Sequence, residues 1–420
     1  MIYTGVKGTQ DYHPALARQF NNLVGDARAV LERYAYQEII LPVLEDEGVF
    51  RKGVGEATDI VERQMLKIEG KDNIILRPEG TAQTVRFFLE NSLHKQSDFY
   101  KFFYIGSMFR GERPQRGRLR QFNQIGVEVF GSHRVSLDAE VIKTASQILA
   151  QAGVGEVELK INTLGCLRDK EAFSRLLVER IREHAGHLCE DCRRRREKNP
   201  LRIIDCKNDK CKNIVKGLNL EGAHLCAPCK DRFDDLGRLI KEAGVAFVYD
   251  PYLVRGLDYY TGTVFEFTSQ RLGAQDAIGA GGRYDTLVER LGGPSIPAIG
   301  FALGIERMLI ALGEPKNETV VAVYVAATSP AMQSPAFMIT QQLRDAGINT
   351  ETDHCEKSLK GQFRYAQRLG VRYVVLVGDE EIKENCVMLK NMQTSGQEKV
   401  KIDDLTNKIK NFTTENSEKN

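Results

Sequence analysis

Phe109-Arg110-Gly111-Glu112-Arg113-Pro114-Gln115-Arg116-Gly117-Arg118-Leu119-Arg120 is the stretch on which the reading of this chain turns. Five arginines fall within the eleven residues 110–120, and the flanking segments, 99–109 and 121–130, are long and apolar. That pattern predicts two antiparallel strands joined by a loop dense in arginine and glycine. The arginine side chain is a planar fork of donors that matches phosphate oxygens. A pocket for a polyphosphate and a nucleic-acid end needs such donors on a short loop held between strands. The bland alternative is a solvated, charged hairpin tip.

Working outward toward the N-terminus, residues 18–34 carry apolar side chains at helical spacing, and residues 38–43 read as an extended segment ending near Pro42. Proline cannot donate to a strand ladder, which places that segment at an edge or an interface. Residues 64–68 and 73–76 suggest a hairpin, and 81–89 and 138–152 suggest helices. Toward the C-terminus, residues 167–245 are rich in cysteine and charge and mostly helical. Strand character returns after residue 247. A glycine run, 279–282, precedes a helix expected over 284–291, and another helix is expected over 300–312. Past Pro315, strands at 320–325 and 373–377 alternate with helices at 336–346 and 361–369, the signature of a small α/β domain with a mainly parallel sheet. The polar residues 407–420 are expected to be disordered. Neither a glycine-rich phosphate loop ending in Lys-Ser/Thr nor a dinucleotide fingerprint is present.

Composition sets limits on this picture. The chain has 420 residues, 59 basic and 57 acidic, for a formal net charge of +2. Any nucleic-acid contact must therefore come from local clusters and not from a coat of positive charge. Residues 1–11 lack the features of a signal peptide, and no apolar run approaches the ~20 residues of a membrane helix. A cytoplasmic location without membrane contact is expected, and there the nine cysteines default to thiols or metal ligands.

The arginine loop has company. Gly300-Phe301-Ala302-Leu303-Gly304-Ile305-Glu306-Arg307 sets an arginine near the start of a helix, where the helix N-terminus adds partial positive charge. With the loop 109–120 and the segment around Ile40, Leu41 and Pro42, it resembles the three ordered motifs of class II aminoacyl-tRNA synthetases. Leu253-Val254-Arg255-Gly256-Leu257-Asp258-Tyr259-Tyr260-Thr261-Gly262 and Gly281-Gly282-Arg283-Tyr284-Asp285 resemble the two signature peptides of the histidyl-tRNA synthetase family, and Arg77-Pro78-Glu79-Gly80-Thr81 resembles its amino-acid loop. The resemblance runs from Gly5 to about Asp404.

It implies an α+β fold: a class II catalytic core with an antiparallel sheet flanked by helices (residues 1–166 and 247–318), a mostly helical, cysteine-rich insertion (167–246), a C-terminal α/β anticodon-binding domain (319–406) and the tail 407–420. It also implies ATP-dependent ligation of L-histidine to the 3′ end of histidine tRNA through a histidyl-adenylate, by a homodimer, with Mg²⁺ on the ATP phosphates. Carried over by position, Arg110 and Arg255 grip the α-phosphate from two sides. Arg307 holds the γ-phosphate, Arg113 and Arg118 assist on the triphosphate or the tRNA end, and Phe122 stacks on adenine. Glu128 accepts the imidazole N–H and the Tyr260 hydroxyl donates to the other ring nitrogen. Glu79, Thr81 and Gln124 orient the α-ammonium group, and Tyr259 and Tyr284 close the pocket. Lys357, Lys360, Arg364, Arg368 and Arg372 give the C-terminal domain a basic face suited to RNA phosphates.

The insertion leaves alternatives open. Cys189-x-x-Cys192 and Cys226-x-x-Cys229 could together close a tetrahedral zinc site, leaving Cys206 and Cys211 spare or substituting. The insertion in the resembled family is described as metal-free, so the resemblance implies no metal there. The cysteines would then be small buried hydrophobes. Two other readings compete for the whole chain. The regulatory subunit of ATP phosphoribosyltransferase has a similar body but lacks the anticodon module. A sister synthetase for threonine, proline or glycine is the other. Arg110, Arg255, Tyr260 and the C-terminal domain weigh against the first, and the peptide 255–260 against the second.

Overall fold

Alternation of residue size along four strands determines where this molecule keeps its core and where it leaves a hollow. In the computed structural model, which describes residues 3–56, 58–218, 220, 224–273, 276–315 and 321–414, the chain divides into two units, Met1–Pro315 and Lys316–Asn420. The first is built on an eight-stranded sheet in the order Gln37–Glu38, Tyr100–Phe109, Gln121–Phe130, Ala298–Gly304, Ala277–Arg283, Thr261–Ser269, Val157–Thr163, Val248–Tyr249. Its six inner strands are antiparallel, and the two short edge strands pair parallel.

Within Gln121–Phe130, side chains alternate between faces. Ile125, Val127 and Val129 are fully buried against one face with Ile299, Phe301 and Leu303 of the neighbouring strand. The helices Pro14–Arg33, Val135–Gln151 and Ala227–Glu242 cover that face through Leu23, Ala27, Ile142, Ile148, Leu236 and Ile240. Each such apolar side chain contributes roughly 1.5–3 kcal/mol by leaving water. The opposite positions of the same strand, Phe122, Gln124, Gly126 and Glu128, face the other way. They stand against Gly300, Ala302 and Gly304, residues too small to fill the space.

Several sequence expectations hold. The 64–68/73–76 hairpin is present as Leu66–Lys67 paired with Ile74–Leu76, and the segment before Pro42 lies at the sheet edge. Others need correction. The glycine run 279–282 lies inside a strand, and the helix expected over 284–291 shortens to Leu287–Arg290. The helix expected over 300–312 divides into the strand Ala298–Gly304 and the helix Ile305–Leu312. Cross-strand pairing of all seven residues to Gln121–Phe130 outweighs the local helical pattern there.

The insertion does not separate as a compact unit. Helix Ala227–Glu242, expected within it, packs on Val135–Gln151 in the core, and Phe173, Leu177 and Ile181 share a cluster with Phe50, Phe88 and Val264. A tertiary contact of this kind leaves no local trace in the sequence.

The second unit has a five-stranded sheet, Thr350–Thr352, Val323–Ala327, Tyr373–Val377, Cys386–Asn391, Gln397–Lys401. The first three strands are parallel as expected. The last two form an antiparallel hairpin that the sequence reading missed, because Gln397–Lys401 is polar and charged at every position but Val400 and resembles a loop. The expected disorder from residue 407 is also corrected. Helix Ile402–Thr414 continues through that point, anchored by buried Leu405 and Ile409. Residues 415–420 lie outside the described residues.

Candidate active site

The hollow on the small-residue face is a cavity of about 1010 Å³ including its open mouth. Its lining comes from several segments: Glu79 and Thr81; Tyr104; Arg110, Glu112 and Arg118 of the arginine loop; Phe122 and Gln124; Arg255, Tyr259 and Tyr260; Tyr284; and Arg307. The cavity has two chemically distinct ends.

One end is neutral to acidic and buried. The Glu128 carboxyl accepts hydrogen bonds from Thr81 Oγ1 (2.7 Å), from the Tyr104 hydroxyl (3.2 Å) and from the Tyr284 hydroxyl. Burial pushes its pKa up to about 8, against the opposing pull of those hydroxyl donors. Room for this network is made by absent side chains. A Cβ on Gly300 would stand 2.2 Å from Glu128 Oε2, and one on Gly126 would stand 2.0 Å from the Tyr104 ring.

Glu79 caps the helix Thr81–Glu90, accepting the Thr81 N–H (2.6 Å) and the Ala82 N–H (2.9 Å). Burial raises its pKa as well. Gln124 Oε1 is buried and has no hydrogen-bond partner, an acceptor aimed at nothing the protein supplies. Tyr259 packs against Tyr260 and edge-on to Tyr284, at centroid distances of 4.7 and 5.6 Å. Burial holds the Tyr260 phenol protonated, with its pKa near 12.

The other end is cationic. Arg110 donates from Nε to Pro78 O (2.9 Å), and its guanidinium lies 5.1 Å from the Phe122 ring centroid. Arg307 donates to Gly117 O (2.8 Å) and Ala277 O (2.5 Å), so the helix residue and the arginine loop brace one another. Arg118 pairs with Glu112 (2.8 Å), and Arg255 pairs with Glu266 (2.5 Å) while its buried Nε has no hydrogen-bond partner. Arg110 and Arg307 both have lowered pKa values, through burial first and then through the repulsion of the neighbouring arginines. Like charges crowded in a low-dielectric hollow raise the energy of the empty site, and a polyanion would relieve it.

Sequence comparison agrees with this geometry. The histidyl-tRNA synthetase family profile matches residues 8–308. An anticodon-binding-domain profile matches residues 320–412. The chain is 43% identical over 406 residues to histidine–tRNA ligase of Halothermothrix orenii, spanning 95% of this chain and 97% of that one. It is 40% identical over 417 residues to the same ligase of Clostridioides difficile, spanning 98% and 99%. Among solved structures, apo histidyl-tRNA synthetase of Staphylococcus aureus superposes with a TM-score of 0.80 at 30% identity, covering 97% of this chain and 100% of that one.

The chain belongs to the histidyl-tRNA synthetase family.

Most residues singled out from the sequence as a histidyl-tRNA synthetase site converge on the one cavity. Arg110, Arg118, Arg255, Arg307, Glu79, Thr81, Phe122, Gln124, Tyr259, Tyr260 and Tyr284 line it, and Glu128 stands behind Thr81 and Tyr284. Two of the expected residues do not line the cavity: Glu128 is sealed behind its hydroxyl donors, and Arg113 is exposed, its side chain turned to solvent.

Four contributors were given no role in the sequence reading, two of them, Arg283 and Glu306, although they lie inside its motifs. Tyr104 completes the Glu128 network; the glycines at 80 and 126 that admit its ring were the available signal. Glu306 accepts from the Tyr12 hydroxyl (2.7 Å) and from the Asn123 backbone and side chain, fixing the approach of helix Ile305–Leu312. Arg283, buried between Asp138 and Asp285, holds the peptide that carries Tyr284. Lys170 donates to Asp258 O (2.9 Å) and Tyr260 O (2.7 Å), securing the other signature peptide from the insertion; burial lowers its pKa to about 8. Nothing local in the sequence marks Lys170 for that task.

Proposed function

We propose a residue-level course for the histidine–tRNA ligase activity that family membership gives this chain: ATP and L-histidine form histidyl-adenylate and pyrophosphate, and the histidyl group passes to the 3′-hydroxyl of histidine tRNA with release of AMP. The observation that carries it is the juxtaposition, in one cavity, of crowded arginines with Glu79, Thr81, Tyr260 and the unpartnered acceptor Gln124 Oε1.

Histidine enters the acidic end. Its α-ammonium donates to Gln124 Oε1, whose buried acceptor otherwise goes unmet, and to Glu79 and Thr81. Its imidazole N–H donates to Glu128 in place of one of the hydroxyl donors that now cover that carboxyl, and the Tyr260 hydroxyl donates to the second nitrogen, with Tyr259 and Tyr284 closing around the ring. A substrate lacking either nitrogen would leave buried polar groups unpaired, the strongest form of discrimination available to a site.

ATP occupies the cationic end, with Phe122 and Arg110 flanking the adenine and α-phosphate region. The histidine carboxylate attacks the α-phosphorus and the bond to the pyrophosphate oxygen breaks. Arg110 and Arg255 stabilise the charge that spreads onto the α-phosphate oxygens, while Arg307 and Arg118 hold the departing pyrophosphate. Mg²⁺, when bound with the nucleotide, neutralises its outer phosphates. The carboxylates beside that region are Glu112, ion-paired with Arg118, and Glu266, ion-paired with Arg255.

Two partners follow. A second copy of the chain fits the segment at the sheet edge, where Ile40 (93% exposed), Leu44 and Val43 leave an apolar strip beside Pro42. In the C-terminal unit Lys360, Arg364 and Arg368, all exposed, recur every four residues along Leu359–Leu369 and suit tRNA phosphates. Among the described residues no helix is long and apolar enough to cross a membrane.

Amino-acid-dependent ATP–pyrophosphate exchange tests the reading. Exchange is expected with histidine and with no other of the common amino acids; exchange with a second amino acid, or with none, would overturn it.

A further inference from the structure

Seven of the nine cysteines lie between residues 166 and 229, and the fold sorts them into two groups. Cys189, Cys192, Cys206 and Cys211 bring four sulfurs within 4.8 Å of one another. Cys166, Cys226 and Cys229 do the same with a carboxylate oxygen of Asp169. The two C-x-x-C pairs therefore do not share a site, as the sequence spacing suggested. The sites are nested, one at the root of the insertion and one near its tip.

None of the nine cysteines is in a disulfide. Cys189 Sγ and Cys206 Sγ are 3.8 Å apart, far beyond an S–S bond of about 2.05 Å. Sulfurs at the corners of a tetrahedron around zinc, with Zn–S near 2.3 Å, would stand about 3.8 Å apart. Backbone donors already face the sulfurs. The Cys189 N–H donates to Cys211 Sγ (3.3 Å) and the Asn208 N–H to Cys206 Sγ (3.4 Å). At the root, the Cys166 N–H donates to Cys229 Sγ (3.2 Å), and the Cys226 N–H donates to Asp169 Oδ1 (3.2 Å). Amide donors favour the thiolate over the thiol. Three of the ligand pairs, Cys189/Cys192, Cys166/Asp169 and Cys226/Cys229, sit at the first turn of a helix, where the backbone favours negative charge. Buried thiols serving only as packing would need none of this convergence.

We propose that Cys189, Cys192, Cys206 and Cys211 hold a structural zinc ion, and that Cys166, Asp169, Cys226 and Cys229 hold a second. Binding replaces the thiol protons, which pass to solvent, and involves no redox step. A four-thiolate zinc centre carries a net charge of about −2. The Arg195 guanidinium lies in the field of Cys192 and Cys206, and its neighbours Arg193, Arg194 and Arg196 extend the local positive charge.

The tip site is also linked to the catalytic core, through charge and through one hydrogen bond. Its ligand Cys206 is flanked by Asp205 and Lys207; Asp205 acts on Arg255, and Lys207 lies in the field of Arg118, Glu112 and Arg307. The same stretch is tied to the signature peptide by Asn199 Nδ2, which donates to Asp258 Oδ1. Zinc at the tip therefore holds the stretch that is tied to Asp258, and zinc at the root fixes where the insertion leaves and rejoins the core.

The full chain, produced with zinc and freed of loose metal by dialysis, is assayed for metal content. About two zinc ions per chain are expected, falling by about one in C192S and by about one in C229S. Cobalt(II) exchanged into C229S, which keeps the tip site, should give the intense sulfur-to-cobalt charge-transfer bands of a four-thiolate site. Backbone hydrogen exchange over residues 188–212 should rise in C192S and not in C229S. If one zinc is found, the site whose variant loses it stands and the other is overturned. Iron in place of zinc overturns the choice of metal. No tightly held metal in the native chain, together with cysteines that react freely with a thiol reagent, overturns both sites. That result is independent of catalysis, since it is read on unreacted protein.

Discussion

The pocket around Glu128 and the helix face of Lys360, Arg364 and Arg368 both carry charge for a ligand, but they are built in opposite ways. In the first, a carboxyl is sealed from water, held by three hydroxyls, and given space by missing side chains on neighbouring strands. In the second, cations project from an exposed helix, and the main internal engagement is the Tyr365 ring, with Lys357 and Arg368 each 5.0 Å from its centroid. Recognising one amino acid among twenty requires desolvated groups whose penalty is lifted by the correct ligand alone. Docking a phosphate backbone requires charge at the right spacing, and exposure is no handicap.

The contrast breaks first at the arginines. Arg255→Ala should reduce the rate of adenylate formation by about 10²–10³ or more, with near-native circular dichroism, because a fixed cation at the transition state is lost from a desolvated site. An exchange rate within a few-fold of native would remove Arg255 from the mechanism. Glu128→Gln comes next: kcat/KM for histidine should fall by about 10–10², while KM for ATP moves little, since a buried polar group left without its partner costs about 1–3 kcal/mol. Equal losses for both substrates would mean that Glu128 shapes the cavity without reading the imidazole.

Smaller effects sharpen the comparison. Replacing Lys360, Arg364 and Arg368 together by alanine should raise KM for tRNA by roughly tenfold and flatten its dependence on salt, leaving pyrophosphate exchange unchanged. An unaltered salt dependence would place the tRNA elsewhere. The smallest effect is on stability. The folded pKa of Glu128, about 8, lies above its ordinary value of 4.5. Its contribution to stability is therefore complete below about 4.5 and is lost as pH rises through about 8. Glu128→Gln should accordingly gain in Tm relative to the native chain as pH rises across that window and level off beyond it. A constant Tm difference from pH 5 to 9 would show that the carboxyl titrates as if exposed.

The site was legible where its chemistry is concentrated in short runs. Arg110 and Arg118 stand in one loop, and Arg255, Tyr259 and Tyr260 in one peptide, so the residue types and their order survive without coordinates. Tyr104, Glu306 and Lys170 were not legible, because each acts on residues far along the chain and none breaks a local pattern. Likewise, the strand Ala298–Gly304 looked helical until its pairing with Gln121–Phe130 was known. The hairpin Cys386–Asn391/Gln397–Lys401 looked like a loop because one face of it is wet.

From the sequence alone came the family motifs, the two-part division near Pro315, the strand alternation and the arginines of the cavity, with Glu79. Those depend on residue type and spacing within a single segment. Tertiary structure alone decided which cysteines share a metal-sized cluster, which way Arg113 points, and how far burial lifts Glu128. Each of these is a sum over groups brought together from distant parts of the chain, and neither distance nor desolvation is written in any one segment.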